Sequence, residues 1–358
     1  MNASESRTFW KVWWSSMHDI PILLVVIVAF GLLFDFTNGF HDTANAVATV
    51  ISTRVLPPTF AIVMCAVLNF AGAFASQNVA QTIAKGLIDA HAATQEVILA
   101  AIIGAIVWNV LTWYFGIPSS SSHALIGGLV GATLVFAGTH AVIWKGVVSK
   151  VIVPMVISPV IGAAIAFAIM MLLFGLFANT RPAKVNGIFS WLQRLSAAGV
   201  AFNHGQNDAQ KTMGVITLAL VAFHFLPGGK HVRIPVWVIV SCATAMGLGT
   251  LSGGWRIIKT LGTKIIDLQP INGFAAETSA SIVLATASAF GMPVSTTHIV
   301  CGSVFGVGIA KRLNEVRWPV AQQMVTAWVL TLPGAALVAG LSYFVISLGG
   351  HPAALAMR

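Results

Sequence analysis

The side chains best able to do chemistry lie in a few short runs of an otherwise apolar chain. Asp35, Asn38, Asp42, Asn45 and Thr49 recur at steps of three and four, which on a helix makes one continuous polar stripe. The stripe directly follows the apolar run Ile22–Phe34, so it lies at membrane depth, where carboxylates are costly and mark ion or substrate pathways. Gly39, inside the stripe, offers a place for the helix to break and release backbone groups for ligation. A second run reads Asn203, His204, Gly205, Gln206, Asn207, Asp208, then Lys211 and Thr212. Asp208 and Lys211 are three apart and can pair, which lowers the cost of both charges in lipid.

A third pattern combines proline with hydroxyls. Pro118 precedes Ser119, Ser120, Ser121, Ser122 and His123, and Pro293 precedes Val294, Ser295, Thr296, Thr297 and His298. Proline ends an incoming helix and the hydroxyls stand at the start of the next. A helix N-terminus presents free N–H donors and the positive end of its dipole, and so favours an anion. Ordinary N-capping by Ser and Thr is the plainer alternative; two related copies at membrane depth argue for ligand contact. His41, His123, His204 and His298 can orient a hydroxyl, move a proton, or simply pack. Glu277, read as starting an apolar helix, is a secondary candidate for cation binding, with snorkelling to the surface as its alternative.

These elements come in two sets. Phe36, Gly39 and Asp42 recur 166 positions later as Phe202, Gly205 and Asp208, and Asn45 falls on Lys211. Pro118, Ser120, His123, Gly127 and Gly131 recur 175 positions later as Pro293, Ser295, His298, Gly302 and Gly306. Asp35 has no acidic counterpart, since Ala201 stands in its place. Ordered duplication with interrupted apolar segments points to a transporter built of two related halves with a central site. The expected division is a polar segment 1–19, a first repeat 20–178, a central basic loop 179–194 on the cytoplasmic side, a second repeat 195–350 and a tail 351–358.

Composition sets the class. Of 358 residues 57% are hydrophobic and 8% charged, with a mean hydropathy of +0.88; soluble domains carry about a quarter charged residues. The expected architecture is all-α and polytopic, with inverted-topology repeats, broken helices and paired re-entrant hairpins. At about 20 residues per span the length allows about ten to twelve membrane segments. The net charge of +9 sits mostly between apolar runs, which fits cytoplasmic loops and not nucleic-acid binding. Cys65, Cys242 and Cys301 lie in apolar stretches with no metal-ligand spacing, so no structural metal or cofactor is expected.

The segments Asn38-Gly-Phe-His-Asp-Thr-Ala-Asn-Ala46, Asn207-Asp-Ala-Gln-Lys211 and Pro293-Val-Ser-Thr-Thr-His298 resemble the signatures of the inorganic phosphate transporter family, above all its bacterial low-affinity members. The resemblance runs from about Ile22 to Tyr343. It implies uptake of inorganic phosphate coupled to a cation (a proton or sodium, with a divalent metal bound to phosphate as a further form), a homodimer in contact with membrane lipid, and the bacterial inner membrane. Residue by residue, Asp42, Asn45, Asp208 and the hydroxyls of Ser120, Ser121, Ser122, Ser295, Thr296 and Thr297 match the family's ligand and cation positions. Together with the reading of the residues themselves, those hydroxyls, Asn45, Asn207 and Lys211 are expected to face phosphate, and Asp42, Asp208, Asn38, Asp35 and Glu277 the cation. Lys211 stands where the sodium-coupled pattern has Asn, which favours the proton.

Other classes fit less well. An intramembrane Ser/His hydrolase needs one nucleophile and one base, gains nothing from duplication, and would show a Gly-x-Ser-x-Gly elbow that is missing here. Carboxylates in the pathway oppose a passive anion channel. A sulfate carrier or a sodium-coupled symporter of the same family is the nearer rival.

Overall fold

A computed structural model describes residues 21–227 and 232–349. The polar segment 1–19, the tail 351–358 and residue 350 of the second repeat lie outside the described residues. Apart from single-turn helices and one isolated bridge between Ile88 and Val142, the described chain consists of twelve helices. They are α1 (Ile22–Ser52), α2 (Pro58–Gly72), α3 (Asn78–Lys85), α4 (Gln95–Tyr114), α5 (Ser121–Ala137), α6 (Trp144–Phe177, with a π-helical stretch at Val148–Ile152), α7 (Pro182–Ala222), α8 (Val236–Ser252), α9 (Trp255–Thr263), α10 (Pro270–Ala289), α11 (Thr296–Lys311) and α12 (Trp318–Gly349). The succession of a long helix, a short one, a very short one, one of 20 residues, a short one and a long one in α1–α6 recurs in α7–α12.

Among the described residues, four helices are long and apolar enough to cross a membrane: α1, α4, α6 and α12. A fifth span exists if α8 and α9, bent by 70° at a short break, count as one. This is fewer than the ten to twelve segments expected from length, for a physical reason. The 41-residue α7 carries the buried polar run His204–Thr212 through its middle, and α2 and α5 are only 15 and 17 residues long. Only 22% of the span-length window is buried in α6 and in α12, against 56% in α4. The first two therefore face outward, with Val160, Leu172, Leu337 and Val345 exposed.

Two sequence expectations are corrected. Gly39 does not break its helix, since α1 runs unbroken for 31 residues. Its missing side chain serves packing instead: a Cβ there would lie 2.3 Å from Met246 O of α8. Gly205 does the same in α7, where a Cβ would lie 2.1 Å from Asn69 O of α2. Nor are residues 182–194 a loop. They are the first turns of α7, begun by Pro182 at a position that needs no N–H donor.

Each long polar helix is thus clamped by the other set. α1 packs on α8 and α9, and α7 packs on α2 and α3. Gly127 and Gly131 of α5 admit α12 backbone at Leu332 and Ala336, and Gly302 and Gly306 of α11 admit α6 backbone at Pro159 and Ala163. Two large apolar clusters result, beside a small one where α4, α5 and α12 meet. One gathers the second half of α1 and the first half of α7, and the other gathers the opposite halves. The polar middles of α1 and α7 lie between them.

The close approaches generate a test. Gly131→Ala must push its Cβ onto Ala336 O, 2.1 Å away, whereas Gly175 has nothing within 4 Å. Gly131→Ala is expected to lower stability by about 1–3 kcal/mol, as overpacking does, and Gly175→Ala to leave it unchanged or raised by up to about 1 kcal/mol. Thermal unfolding of the detergent-solubilised variants measures both; equal midpoints would contradict the packing assignment.

Candidate functional site

Two helix ends form the floor of the site. α4 and α10 stop at Gly116 and Gly291, both at φ +64, the left-handed conformation that glycine adopts without strain. Ile117 N donates to Thr112 O and Met292 N to Ala287 O, each at 2.9 Å, closing the same glycine-terminated helix end twice. The chain then turns through Pro118 or Pro293 into α5 or α11. Ser120 Oγ caps α5 by accepting from His123 N at 3.2 Å, and Ser295 Oγ caps α11 by accepting from His298 N at 3.3 Å. The N–H groups of Ser121, Ser122, Thr296 and Thr297 follow in the first turns, where no intrahelical acceptor exists. The two ends meet: the His123 and His298 rings are 4.8 Å apart, and His298 also stacks on Trp328 at 4.2 Å. All four ring nitrogens of this histidine pair are buried without a side-chain hydrogen-bond partner.

Above the ends lie the middles of α1 and α7. Asn45 Nδ2 donates to Thr296 Oγ1 at 3.2 Å and to Thr297 Oγ1 at 2.9 Å. Those hydroxyls donate onward, Thr296 to Asp208 Oδ2 at 3.3 Å and Thr297 to Asp42 Oδ1 at 3.4 Å. Lys211 Nζ donates to Asp208 Oδ1, to Ser122 Oγ, and to Val294 O at 3.1 Å. Its three N–H bonds are then in use, so it acts on a neighbour chiefly through charge. Ser122 Oγ in turn donates to Val294 O at 3.1 Å. Asn207 Nδ2 donates to Ser288 Oγ at 2.9 Å and Met292 O at 3.3 Å. Both amides spend their donors on the frame, and Asn45 Oδ1 and Asn207 Oδ1 stay buried and unpartnered, as does Ser121 Oγ.

The carboxylates are flanked by histidines. His41 Nδ1 lies 2.7 Å from Asp42 Oδ1, and its Nε2 lies 3.1 Å from Thr112 Oγ1 and 3.4 Å from Ser119 Oγ. His204 Nδ1 meets Asn69 Oδ1 at 3.0 Å, an amide whose Nδ2 donates to Thr250. The Asn69 oxygen is therefore the acceptor and Nδ1 the donor, which leaves His204 Nε2 facing Asp208 Oδ2 at 3.3 Å without hydrogen-bond geometry. A lone pair facing a carboxylate oxygen calls for a proton or a cation between them. Asp42, His204 and Asp208 each bring a ligand atom within 4.8 Å of the others, a spacing able to hold a cation.

Most of the residues singled out in the sequence converge here: Asp42, Asn45, Asn207, Asp208, Lys211, Ser120–Ser122, Ser295–Thr297 and the four histidines. Glu277 does not. Its helix begins at Pro270, and the carboxylate is 2% exposed and does not snorkel. It accepts from Thr49 at 2.6 Å, Gln193 at 3.0 Å and Ser196 at 2.5 Å, at the far end of the α1 stripe. Asp35 and Asn38 lie on that stripe too, on the other side of Asp42. Sequence reasoning missed two residues that hold the histidines, Asn69 and Thr112, and the amide anchor Ser288; Ser119, beside His41, stands in the hydroxyl run already singled out. The available signal was their polarity inside apolar runs (Asn69 in Pro58–Phe74, Thr112 in Val97–Phe115), which a periodicity reading passes over.

Comparison with known proteins adds the context. A family model described as "Phosphate transporter family" matches residues 38–339. A Rhizobium meliloti protein named "Probable low-affinity inorganic phosphate transporter" is 48% identical over 91% of this chain and 97% of its own length. A Bacillus subtilis protein of the same name is 44% identical over 93% of this chain and 99% of its own length. Among solved structures, one titled "The sodium-dependent phosphate transporter" superposes with a TM-score of 0.85 at 26% identity, covering 92% of this chain and all of that one.

The buried Asp208–Lys211 pair yields a test that needs no substrate. Asp208→Asn and Lys211→Met each leave one charge buried without its partner. Each is expected to lower stability by about 3–5 kcal/mol, and the double variant to recover most of that loss. A thermal-unfolding cycle on the four proteins checks it; additive losses would show that the two groups are not coupled.

Proposed function

The chain belongs to the phosphate transporter family, and on that premise we propose that it is a secondary active transporter of inorganic phosphate, coupled to cation entry and driven by the proton gradient. The chain is an integral membrane protein and not an enzyme, as its family and its apolar helices imply. The observation that carries the proposal is the junction of opposite electrostatics in one buried cluster. Two helix N-termini offer the backbone N–H groups of Ser121, Ser122, Thr296 and Thr297, the unpartnered Ser121 hydroxyl and positive dipole ends, which suit a tetrahedral oxyanion. Asp42 and Asp208 close the same cluster with negative charge. An anion and a carboxylate can share such a space only with a proton or cation between them. In this reading Ser120–Ser122, Ser295–Thr297, Asn45, Asn207 and the Lys211 charge face phosphate, and Asp42, Asp208 and His204 face the cation, which enters free or already bound to the phosphate.

Energetics favour coupling. A potential of 100 mV, negative inside, opposes each entering negative charge by about 2.3 kcal/mol. A co-transported proton or a metal bound to phosphate cancels that cost.

The reciprocal contacts support a duplicated, inverted arrangement. α1 and α7 exchange partners across the two sets, and α5 and α11 present their capped ends to each other as the tips of paired hairpins. Alternating access then proceeds by rocking one portion against the other around a site that stays fixed. The relatives named above include bacterial proteins, which supports placement in the bacterial inner membrane. One observation favours a second reading: the similar solved structure is titled as sodium-dependent. Against it, the Lys211 ammonium already balances Asp208, where a sodium ion would otherwise be needed.

The test is uptake of radiolabelled phosphate into proteoliposomes under imposed proton or sodium gradients, with excess sulfate as competitor. Uptake driven by protons, resistant to sulfate and reduced at least about a hundredfold in Asp42→Asn, the scale of losing a charge-balancing group worth about 3 kcal/mol, is expected. Uptake driven by sodium alone selects the sodium-coupled reading, and competition by sulfate selects a sulfate carrier. Lys211→Asn is expected to shift dependence from protons toward sodium; unchanged coupling in that variant would remove Lys211 from the cation balance.

A further inference from the structure

α1 carries one carboxylate that the centre above does not use. Asp35 precedes Asp42 by two helical turns, about 10 Å along the axis, on the same stripe. It is wholly buried, and neither carboxylate oxygen has a hydrogen-bond partner. Its surroundings share that condition: both polar atoms of Asn38 and the hydroxyl of Thr212 are buried and unpartnered too. Asn38, Thr212 of α7 and Cys242 of α8 are its polar neighbours.

Nothing among the described residues balances an ionised Asp35. The charged group that acts on it is Asp208 of α7, which is also negative, and Lys211 is engaged by Asp208. From α8 the titratable neighbour is the thiol of Cys242. α2 turns its Cys65 toward Asn69, and from α4 no charged side chain acts on Asp35. A carboxylate without a partner in an apolar interior takes up a proton or a cation.

The surroundings discriminate between those two. α1 and α7 are continuous helices here, so their carbonyls already accept helical hydrogen bonds and are not released toward a ligand as in a broken helix. Side chains offer at most four oxygens: two from Asp35 and one each from Asn38 and Thr212. Hard cations take about six oxygen ligands, and an amide nitrogen and a thiol complete this wall instead. A proton needs only one acceptor, and a protonated Asp35 can both donate to and accept from Asn38 and Thr212.

We propose that Asp35 is a dedicated proton site, separate from the Asp42–Asp208 centre, that is loaded and emptied once per transport cycle with Asn38 and Thr212 as its hydrogen-bond partners. The step is a simple proton transfer: the O–H bond forms on one side with a proton from water and breaks on the other with its return to water. This rests on the transport reading above. The related half has Ala201 at this place, so the site belongs to one half alone.

The test uses the full chain in proteoliposomes with a pH-sensitive dye inside. Asp35→Asn mimics the protonated acid, and Asp35→Ala installs the residue of the other half. Both are expected to keep phosphate counterflow within about twofold of wild type, while proton influx per phosphate falls and a pH gradient no longer drives accumulation. Asp35→Glu is expected to restore both. An infrared band of a protonated carboxyl group, present in wild type and lost in Asp35→Asn, reads the proton without any transport. An unchanged proton-to-phosphate ratio in Asp35→Asn, no such band, or loss of a sodium flux in place of a proton flux overturns the assignment. Wild-type vesicles that move no phosphate overturn the transport reading itself.

Discussion

Two carboxylates, Asp42 and Asp208, are held within 4.8 Å of each other's reach in an interior that excludes water. Bare, the two would repel and could not both remain charged. The rest of the structure around them is compensation. Lys211 stands one helical turn from Asp208, His41 and His204 flank the pair, and two threonine hydroxyls from α11 donate to it. The compensation is unequal. Asp208 has an ammonium, whereas Asp42 has an imidazole and a hydroxyl. The asymmetry between Asn45 and Lys211 thus gives the two carboxylates different partners on helices that otherwise resemble each other.

Bringing that cluster together depends on backbones coming closer than side chains normally allow. α1 and α8 approach where Gly39 faces Met246 and Gly249 faces Phe36, and α7 and α2 approach where Gly205 faces Asn69 and Gly72 faces Phe202. Small residues permit such crossings in membranes, where no hydrophobic force between helices compensates for poor fit. The same crossings set Asn69 beside His204. The glycines and the polar network therefore form one device: close crossing brings the second-half histidine to the partner that fixes its tautomer.

Much of the centre was legible because its chemistry is spaced along single helices. The α1 stripe, the Asp208–Lys211 pair and the capped ends at Ser120 and Ser295 all follow from local periodicity and capping rules, and all lie where those rules put them. What was not legible depends on contacts across the chain. Gly39 read as a break because glycine signals flexibility in isolation, and only the approach of α8 shows it as a packing residue. Residues 182–194 read as a loop because they are polar, yet they continue a 41-residue helix. The surroundings of Glu277 were not legible because its three donors come from α1 and α7, far away in sequence.

The stripe on α1 gives these contacts a direction. From Asp35 to Thr49 it runs about 21 Å along the helix axis, and its two ends are treated in opposite ways. At the Thr49 end, each oxygen of Glu277 accepts from a donor, so it anchors α10 to α1 and α7. At the Asp35 end the polar atoms are equally buried but unspent. A buried polar group that has found no partner costs stability unless something else occupies it during function. The frame is rigid where its hydrogen bonds are satisfied and chemically open where they are not. Along this helix the open positions are Asp35 with Asn38, and the Asn45 oxygen beside Asp42. The unspent positions thus lie at the Asp35 end of the stripe and beside Asp42, and the satisfied one lies at the Thr49 end.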